Sequence, residues 1–345
     1  TGGHIYPGIA VARALQRISS SCEVEFWGAG RPLERTILER ENVTFRALPS
    51  APMPRSPLKL PGFAWKVVSG YFAARRLLSG LDVSAVVGLG GYSSYAPVVA
   101  ASHRGLATLL LEQNALMGKA NVRLARRAGL VCLTWQDSAA HIPPGVKFEV
   151  TGNPLRSEVV AAARDGEYRS DGALLVMGGS TGAVGLNTIV LGALREIRNL
   201  GRRIVHQTGE QDFHRVKSVY EQAGIEAEIL PFIEDVAGAY RQAALIVARA
   251  GGTTLSETAL FALPSILVPY PHHKDRHQSA NAEIFARLGA AEIIEESSGA
   301  PPALANRLKA LFGEPGRLSG MSAASLSLGK SEAAEVIAGR ILEMC

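Results

Sequence analysis

The sequence predicts an α/β protein made of two doubly wound, parallel-sheet domains. Three observations lead there. Short apolar runs end at glycine or polar residues, helical spacing separates them, and the whole pattern restarts midway. EVEFWG (23–28), DVSAVVGLG (82–90) and LATLLLEQ (106–113) read as strands, with GIAVARALQRI (8–18) and ANVRLARRA (120–128) as helices. ALLVMGGS (173–180) restarts the pattern. It is followed by a helix over 186–200 and strand-and-loop units at 202–209, 227–233, 245–252 and 264–271, with a helix at 254–262. The breaker cluster Gly152-Asn153-Pro154 marks the join. The expected domains are 1–153 and 154–330, with 331–345 a helix returning to the first domain. The chain opens at Thr1 inside what reads as a glycine-rich turn. A strand normally precedes such a turn, so the expectation is a first domain lacking its first strand.

At 345 residues, 47% hydrophobic and 19% charged, the chain has enough apolar material for two cores and is not intrinsically disordered. Cys22, Cys132 and Cys345 are too few and too scattered for a disulfide framework or a metal cluster. No apolar run reaches the ~18–20 residues of a membrane-spanning helix. Residues 1–153 hold 17 Lys and Arg against 9 Asp and Glu, while the remainder hold 19 against 22. A basic first half suits phosphate-bearing partners or an anionic membrane surface.

Four glycine turns fall at strand ends: TGGHIYPG (1–8), GLGGYSS (88–94), MGGSTGA (177–183) and RAGGTTLSE (249–257). Helix N-termini at such places offer unpaired N–H groups and partial positive charge to anions. None of the four carries G-x-G-x-x-G or G-x-x-x-x-G-K-[ST]. That argues against a nicotinamide dehydrogenase and a P-loop nucleotidase. No HExxH or paired His/Cys cluster supports a metal, and no cofactor is expected. In RAGGTTLSE, Thr254 and Glu257 read in two ways. They fit a capping box, or Thr253 and Thr254 meet a phosphate while Glu257 takes the two hydroxyls of a ribose. In PHHKDRHQSANAE (271–283), Gln278 at a helix start can both donate to and accept from sugar hydroxyls.

Taken together, these motifs resemble the MurG family of UDP-N-acetylglucosamine transferases over nearly the whole chain. The residues carrying the resemblance are TGGH-x-x-P (1–7), GGY (90–92), EQN (112–114), TGNPLR (151–156), GGSTGA (178–183), LN (186–187), HQTG (206–209), FIEDV (232–236), ARAGGTTLSE (248–257) and HKDRHQSANA (273–282). The resemblance implies a GT-B fold, with two Rossmann-like domains facing across a cleft. It implies a donor site in the second domain. There Ser180 would meet the diphosphate and the Ile233 backbone the uracil. Gly252, Thr253, Thr254, Leu255 and Ser256 would surround the nucleotide, with Glu257 at the ribose, Gln278 at the sugar, and Arg156 and Asn187 nearby. Thr1, Gly2, Gly3, His4, Tyr92, Glu112 and Asn114 would lie on the acceptor side.

The implied reaction is inverting transfer of N-acetylglucosamine from UDP to the C4 hydroxyl of lipid I, at the cytoplasmic face of the bacterial inner membrane. His4 is the leading base and Glu112 the runner-up. Two departures stand out: Leu111 where the family usually has histidine, and Thr181 where glutamine is common. Residues 51–80 carry Arg55, Lys59, Lys66, Arg75 and Arg76 and no acid, among Leu58, Leu60, Phe63, Trp65, Val67, Val68, Tyr71 and Phe72. With Arg123, Arg126 and Arg127 they suit peripheral attachment to anionic lipid, or else an ordinary helix with a basic outer face. The rival functions are another lipid-directed glycosyltransferase, a UDP-sugar 2-epimerase and a noncatalytic nucleotide-sugar module. No nucleic-acid partner is expected.

Overall fold

Short apolar runs form most of the strands, and the inner ones at Ala173–Met177, Ile204–Gln207 and Ala243–Ala248 are buried along their whole length. The computed structural model describes residues 2–54, 56–164, 167–179, 182–272 and 275–345, apart from the side chains of residues 199 and 315. In chain order the elements begin with α1 (Gly2–Ile18), β1 (Glu25–Gly28), α2 (Pro32–Arg40), β2 (Thr44–Ala47), α3 (Leu60–Gly80) and β3 (Ala85–Gly88). Then come α4 (Tyr95–His103), β4 (Ala107–Glu112), α5 (Lys119–Leu124), β5 (Leu130–Leu133), β6 (Phe148–Val150) and α6 (Ser157–Arg164). The chain continues through β7 (Ala173–Met177), α7 (Val184–Gly192), α8 (Leu194–Ile197), β8 (Ile204–Gln207), α9 (Phe213–Gln222) and β9 (Glu228–Leu230). α10 (Val236–Gln242), β10 (Ala243–Ala248), α11 (Gly252–Leu260), β11 (Ser265–Leu267), α12 (His277–Arg287) and β12 (Ala291–Ile293) follow. Three helices close the chain: α13 (Ala300–Gly313), α14 (Pro315–Leu326) and α15 (Ala333–Met344).

The chain divides into two compact units. The first is Thr1–Arg156 with Ser331–Cys345, and the second is Ser157–Lys330.

In the second unit six parallel strands lie in the order β12-β11-β10-β7-β8-β9. Counted from β7 this is the Rossmann order 3-2-1-4-5-6, whose switch point lies between β7 and β10. Side-chain alternation fills both faces. Leu174 and Val176 of β7 pack under α7, α8 and α13 with Leu186, Ile189 and Leu304. Ala173, Leu175 and Met177 pack on the opposite face with Val159, Tyr240 and Phe261. The helix expected over 186–200 is broken: α7 stops at Gly192, and α8 restarts after Ala193. A Cβ at Gly192 would sit 2.8 Å from Pro301 Cβ, so close packing of α7 on α13 requires glycine there.

In the first unit the strands form two parallel sheets rather than one, β1-β2 and β3-β4-β5-β6. Helix α1 serves both. Ala10, Val11, Ala14 and Leu15 pack with Leu109, Leu111 and Cys132 of the larger sheet and with Ile337 and Ile341 of α15. Ile5 and Ile9 pack with Ile37 and Leu38 of α2, against Phe26 and Phe45 of the smaller sheet. Arg340 of α15 binds both oxygens of Glu149 at the end of the larger sheet, at 2.8 and 3.2 Å. Burial pushes the Cys132 thiol up to about 12, so it acts as an inert core residue.

Candidate functional site

Several of the residues expected at the donor site lie near the switch point of the second unit. After β7 the chain turns through Gly178, Gly179 (φ +88°) and Gly182 (φ +76°) into α7. A Cβ at Gly178 would sit 2.5 Å from the Ala183 nitrogen, and one at Gly182 would sit 2.3 Å from the Thr208 carbonyl oxygen. No side chain fits at either position. Ser180 and Thr181, between them, lie outside the described residues. After β10 the chain passes Arg249, Ala250 and Gly251 and starts α11 at Gly252. The Arg249 N–H reaches the Met177 carbonyl at 3.4 Å, which links the two strand ends. The fully buried Asn281 donates to the Ala250 carbonyl at 3.0 Å.

Helix α11 corrects the two expected starts. Its cap is Gly251, in an extended conformation, and Thr254 is already the third helical residue, so the Thr254–Glu257 capping box does not form. The Gly-Gly pair lets the chain turn helical at Gly252, two residues before the expected start at Thr254. Glu257 instead accepts from the Tyr240 hydroxyl at 2.9 Å. Thr253 and Thr254 sit half-buried in the first turn of α11, at the positive end of the helix. Leu255 is buried in the core, and Ser256 donates back to the Gly252 carbonyl at 2.8 Å. Gln278, in the first turn of α12, accepts from the Tyr270 N–H at 2.9 Å. His273 and Lys274 of the same motif lie outside the described residues.

Asn187 does not face outward. It is fully buried in α7 and donates to the Thr208 carbonyl (3.0 Å) and to Asp212 Oδ2 (2.7 Å). Its Oδ1 pairs with His206 Nε2 at 3.1 Å, and His206 Nδ1 pairs with the Tyr220 hydroxyl at 3.2 Å. Burial pushes His206 down to about 3, so it is neutral. The hydrogen bonds from Arg215 hold Asp212 below the usual carboxylate range. Ile233 is buried three residues beyond β9.

In the first unit the turn expected at TGGHIYPG is helix from Gly2 onward. Glycines at a helix N-terminus carry no Cβ to mark the start, and this is why the motif reads as a turn. Gly2 is buried and Gly3 exposed, and Thr1 lies outside the described residues. His4 is half-buried in the first turn. A Cβ at Gly90 (φ +96°) would lie 2.9 Å from His4 Cδ2, so that glycine makes room for the imidazole.

Glu112 ends β4 with 3% exposure, and all its acceptor capacity is engaged. Oε1 accepts from the Asn114 N–H (3.1 Å) and Asn114 Nδ2 (3.3 Å), and Oε2 from the Gly118 N–H (2.8 Å) and Asn121 Nδ2 (2.9 Å). The carboxylate shapes the loop that presents Asn114. Leu111 faces the core, so the position of that departure is a packing site. Tyr92 carries the Arg31 guanidinium 5.2 Å from its ring centre. Burial raises its phenol above the ordinary value, against the opposing charge of Arg31. Arg156 stacks on Tyr6 at 4.8 Å.

Sequence reasoning missed His206, Gln207, Asp212, Tyr240, Asn121 and Asn281 as individual residues. The HQTG motif was the available signal for the first two. Asn281 lay within the HKDRHQSANA motif, whereas Tyr240 and Asn121 carry no signal, because their partners lie 17 and 9 positions away. Among the described residues, no group of three or more His, Cys, Asp or Glu could hold a metal ion.

Helix α3 buries only Gly70, Ala74 and Leu78. Gly70 lets its backbone approach the Pro49 carbonyl, where a Cβ would come within 2.2 Å. The opposite side exposes Trp65 (71%), Val68 (49%) and Phe72 (60%), with Leu58 (91%) just before the helix. Lys59, Lys66, Arg75 and Arg76 are also exposed. No helix among the described residues is long and apolar enough to cross a membrane.

The glycosyltransferase family 28 N-terminal domain matches residues 1–132, and the family's C-terminal domain matches residues 173–338. A relative from Geobacter metallireducens is called UDP-N-acetylglucosamine--N-acetylmuramyl-(pentapeptide) pyrophosphoryl-undecaprenol N-acetylglucosamine transferase. It is 36% identical, over 99% of this chain and 96% of its own length. The crystal structure of Acinetobacter baumannii MurG superposes with a TM-score of 0.80 at 30% identity, covering 99% of this chain and 97% of that one. The UDP-GlcNAc 2-epimerase of Neisseria meningitidis, at 13% identity and a TM-score of 0.68 over 99% and 98%, shares the fold alone. The architecture is therefore that of a two-domain α/β glycosyltransferase of GT-B fold. The chain belongs to glycosyltransferase family 28 and, within it, to the MurG family.

Proposed function

We propose that this chain is an inverting hexosyltransferase that moves N-acetylglucosamine from UDP-N-acetylglucosamine to the C4 hydroxyl of the muramoyl unit of lipid I, forming lipid II. One observation carries the reading. The Rossmann switch point of the second unit brings a glycine loop, a helix N-terminus and a buried, hydrogen-bonded glutamate to the same edge of the sheet, at the ends of two neighbouring strands, in a chain 36% identical over full length to a transferase of that name.

The donor site is the second unit. The N–H groups of the glycine loop, with Ser180, and those at the start of α11 around Gly252, Thr253 and Thr254 receive the diphosphate and stabilise its growing charge as the glycosidic bond breaks. Glu257, held by Tyr240, takes the ribose hydroxyls. The Ile233 backbone meets the uracil, and the Gln278 amide takes a sugar hydroxyl. Leu255, Ser256 and Asn187 support these groups from within the unit.

The acceptor side is the first unit, with Gly2, Gly3, Tyr92 and Asn114 around His4. Inversion requires one in-line displacement through an oxocarbenium-like state, with a base for the attacking hydroxyl. His4 fits that role: it is half-buried, and its imidazole can accept a proton from a hydroxyl. Glu112, its oxygens engaged by four donors, positions Asn114 rather than accepting the proton.

The exposed apolar stripe of α3 and its flanking cations rest on an anionic membrane surface at the cytoplasmic face, where the lipid-borne acceptor resides. The charge pattern supports this, because the stripe has cations and no acid beside it.

Incubation with UDP-N-acetylglucosamine, with and without a short-chain lipid I analogue, tests the reading. UDP release that depends on the analogue, with a β-linked disaccharide product, is expected. Formation of UDP-N-acetylmannosamine without acceptor would replace it with the isomerase reading.

A further inference from the structure

Strand β8 lies between β7 and β9 in the sheet, and its last residue touches both neighbours. Gln207 is 2% exposed. Its Oε1 accepts the Gly178 N–H at 3.1 Å, at the start of the glycine loop. Its Nε2 donates to the Pro231 carbonyl at 3.2 Å, two residues before Ile233. One amide thus spans two strand ends. The Gly209 N–H also donates to the Pro231 carbonyl at 3.1 Å, and the Thr208 N–H donates to the Leu230 carbonyl at 2.9 Å. Behind them, Gly182 rests on Thr208 and Gly209 with no room for a Cβ. Asn187 holds the Thr208 carbonyl from below.

We propose that Gln207 is a positioning residue that couples the phosphate-side glycine loop to the base-side segment, so that the two halves of a nucleoside diphosphate meet one preset frame. This rests on the donor-site reading above. Glutamine suits the task because it offers one acceptor and one donor on a planar, uncharged group. A carboxylate or ammonium at this depth would carry an unpaired charge. The benefit goes to a ligand that touches both loops at once. Each half-ligand sees only one loop, whereas the joined ligand binds without first having to order their spacing.

The test is binding of uridine and of UDP to the full chain and to Gln207→Leu, with Gln207→Glu as a second variant. In Gln207→Leu the UDP Kd should rise about tenfold, while the uridine Kd changes less than about twofold. Gln207→Glu keeps the acceptor for Gly178 but sets its second carboxyl oxygen against the Pro231 carbonyl, so it too should raise the UDP Kd more than the uridine Kd. An unchanged UDP Kd, whether or not the melting temperature falls, would overturn the coupling, as would equal losses for uridine and UDP. Hydrogen exchange in the wild-type protein needs no variant: the Gly178 amide should be protected without ligand, and exchange at open-loop rates would overturn the proposal. Failure of the wild-type protein to bind UDP at all would reject the donor site itself, and the Gln207 coupling with it.

Discussion

The Tyr240 hydroxyl donates a 2.9 Å hydrogen bond to Glu257 Oε2, joining α10 to the first turns of α11 inside the second unit. Both residues are buried, so the carboxylate is aimed before any ligand arrives. Glu257→Ala should raise the donor KM about 10–100-fold with a smaller change in kcat, as expected for loss of a charge-assisted contact. Tyr240→Phe keeps the ring in the core and removes the donor. It should raise the donor KM by a smaller factor and cost about 1 kcal/mol of stability. A normal donor KM in Glu257→Ala would remove that residue from the ribose site.

His4 and Glu112 separate by what their loss damages. His4→Ala should lower kcat by about 10²–10⁴-fold with the UDP affinity unchanged. Glu112→Gln should act first on stability, by about 2–4 kcal/mol. An amide has one acceptor oxygen where the four donors need two, and it turns its NH2 toward one donor pair. Unchanged turnover in His4→Ala would reject it as the base.

Buried His206 makes stability depend on acidity. Its folded value, pushed down to about 3, lies below the ordinary 6.5 of the unfolded chain. Between those two values the unfolded chain binds the extra proton, so stability falls as pH drops below 6.5. The slope from this residue approaches about 1.4 kcal/mol per pH unit. Asp212, held below the carboxylate range by Arg215, adds a second loss only at more acidic pH, as its carboxyl protonates. His206→Gln should remove the first component. Urea melts at pH 7 and pH 5 check this, and an identical pH slope in the variant would contradict it.

The outer face of α3 should tolerate charge without unfolding. Trp65→Glu and Phe72→Glu replace exposed side chains, so stability should shift by no more than about 0.5 kcal/mol. Cosedimentation with anionic vesicles at low salt should fall sharply. Unchanged cosedimentation would place any membrane contact elsewhere.

Much of the architecture was legible because parallel strands buried on both faces read as compact apolar runs. Several of these runs ended at glycines that lead into a helix, as at Met177-Gly178 and Ala250-Gly251. The helix starts were less legible. Gly2 and Gly252 open helices two or more residues before the first side chain that signals one. Strand pairing was less legible, since it depends on which strands meet rather than on any run alone. At the proposed site, the residues assigned to the ligand were easier to find than those behind them. Thr253, Glu257 and Gln278 stand in glycine-rich or polar motifs. Gln207, Asn121 and Tyr240 look like ordinary strand and helix residues until distant segments bring their partners to them.

Transfer of labelled N-acetylglucosamine from its UDP donor to a lipid I analogue is the most direct test of the central claim, run side by side on the wild-type protein and on Glu257→Ala. The account predicts a labelled lipid-linked β-1,4 disaccharide from the wild-type protein, and little from the variant until donor is raised far above the wild-type KM. No labelled lipid from a wild-type protein that binds UDP, or equal product from both proteins at limiting donor, would contradict it.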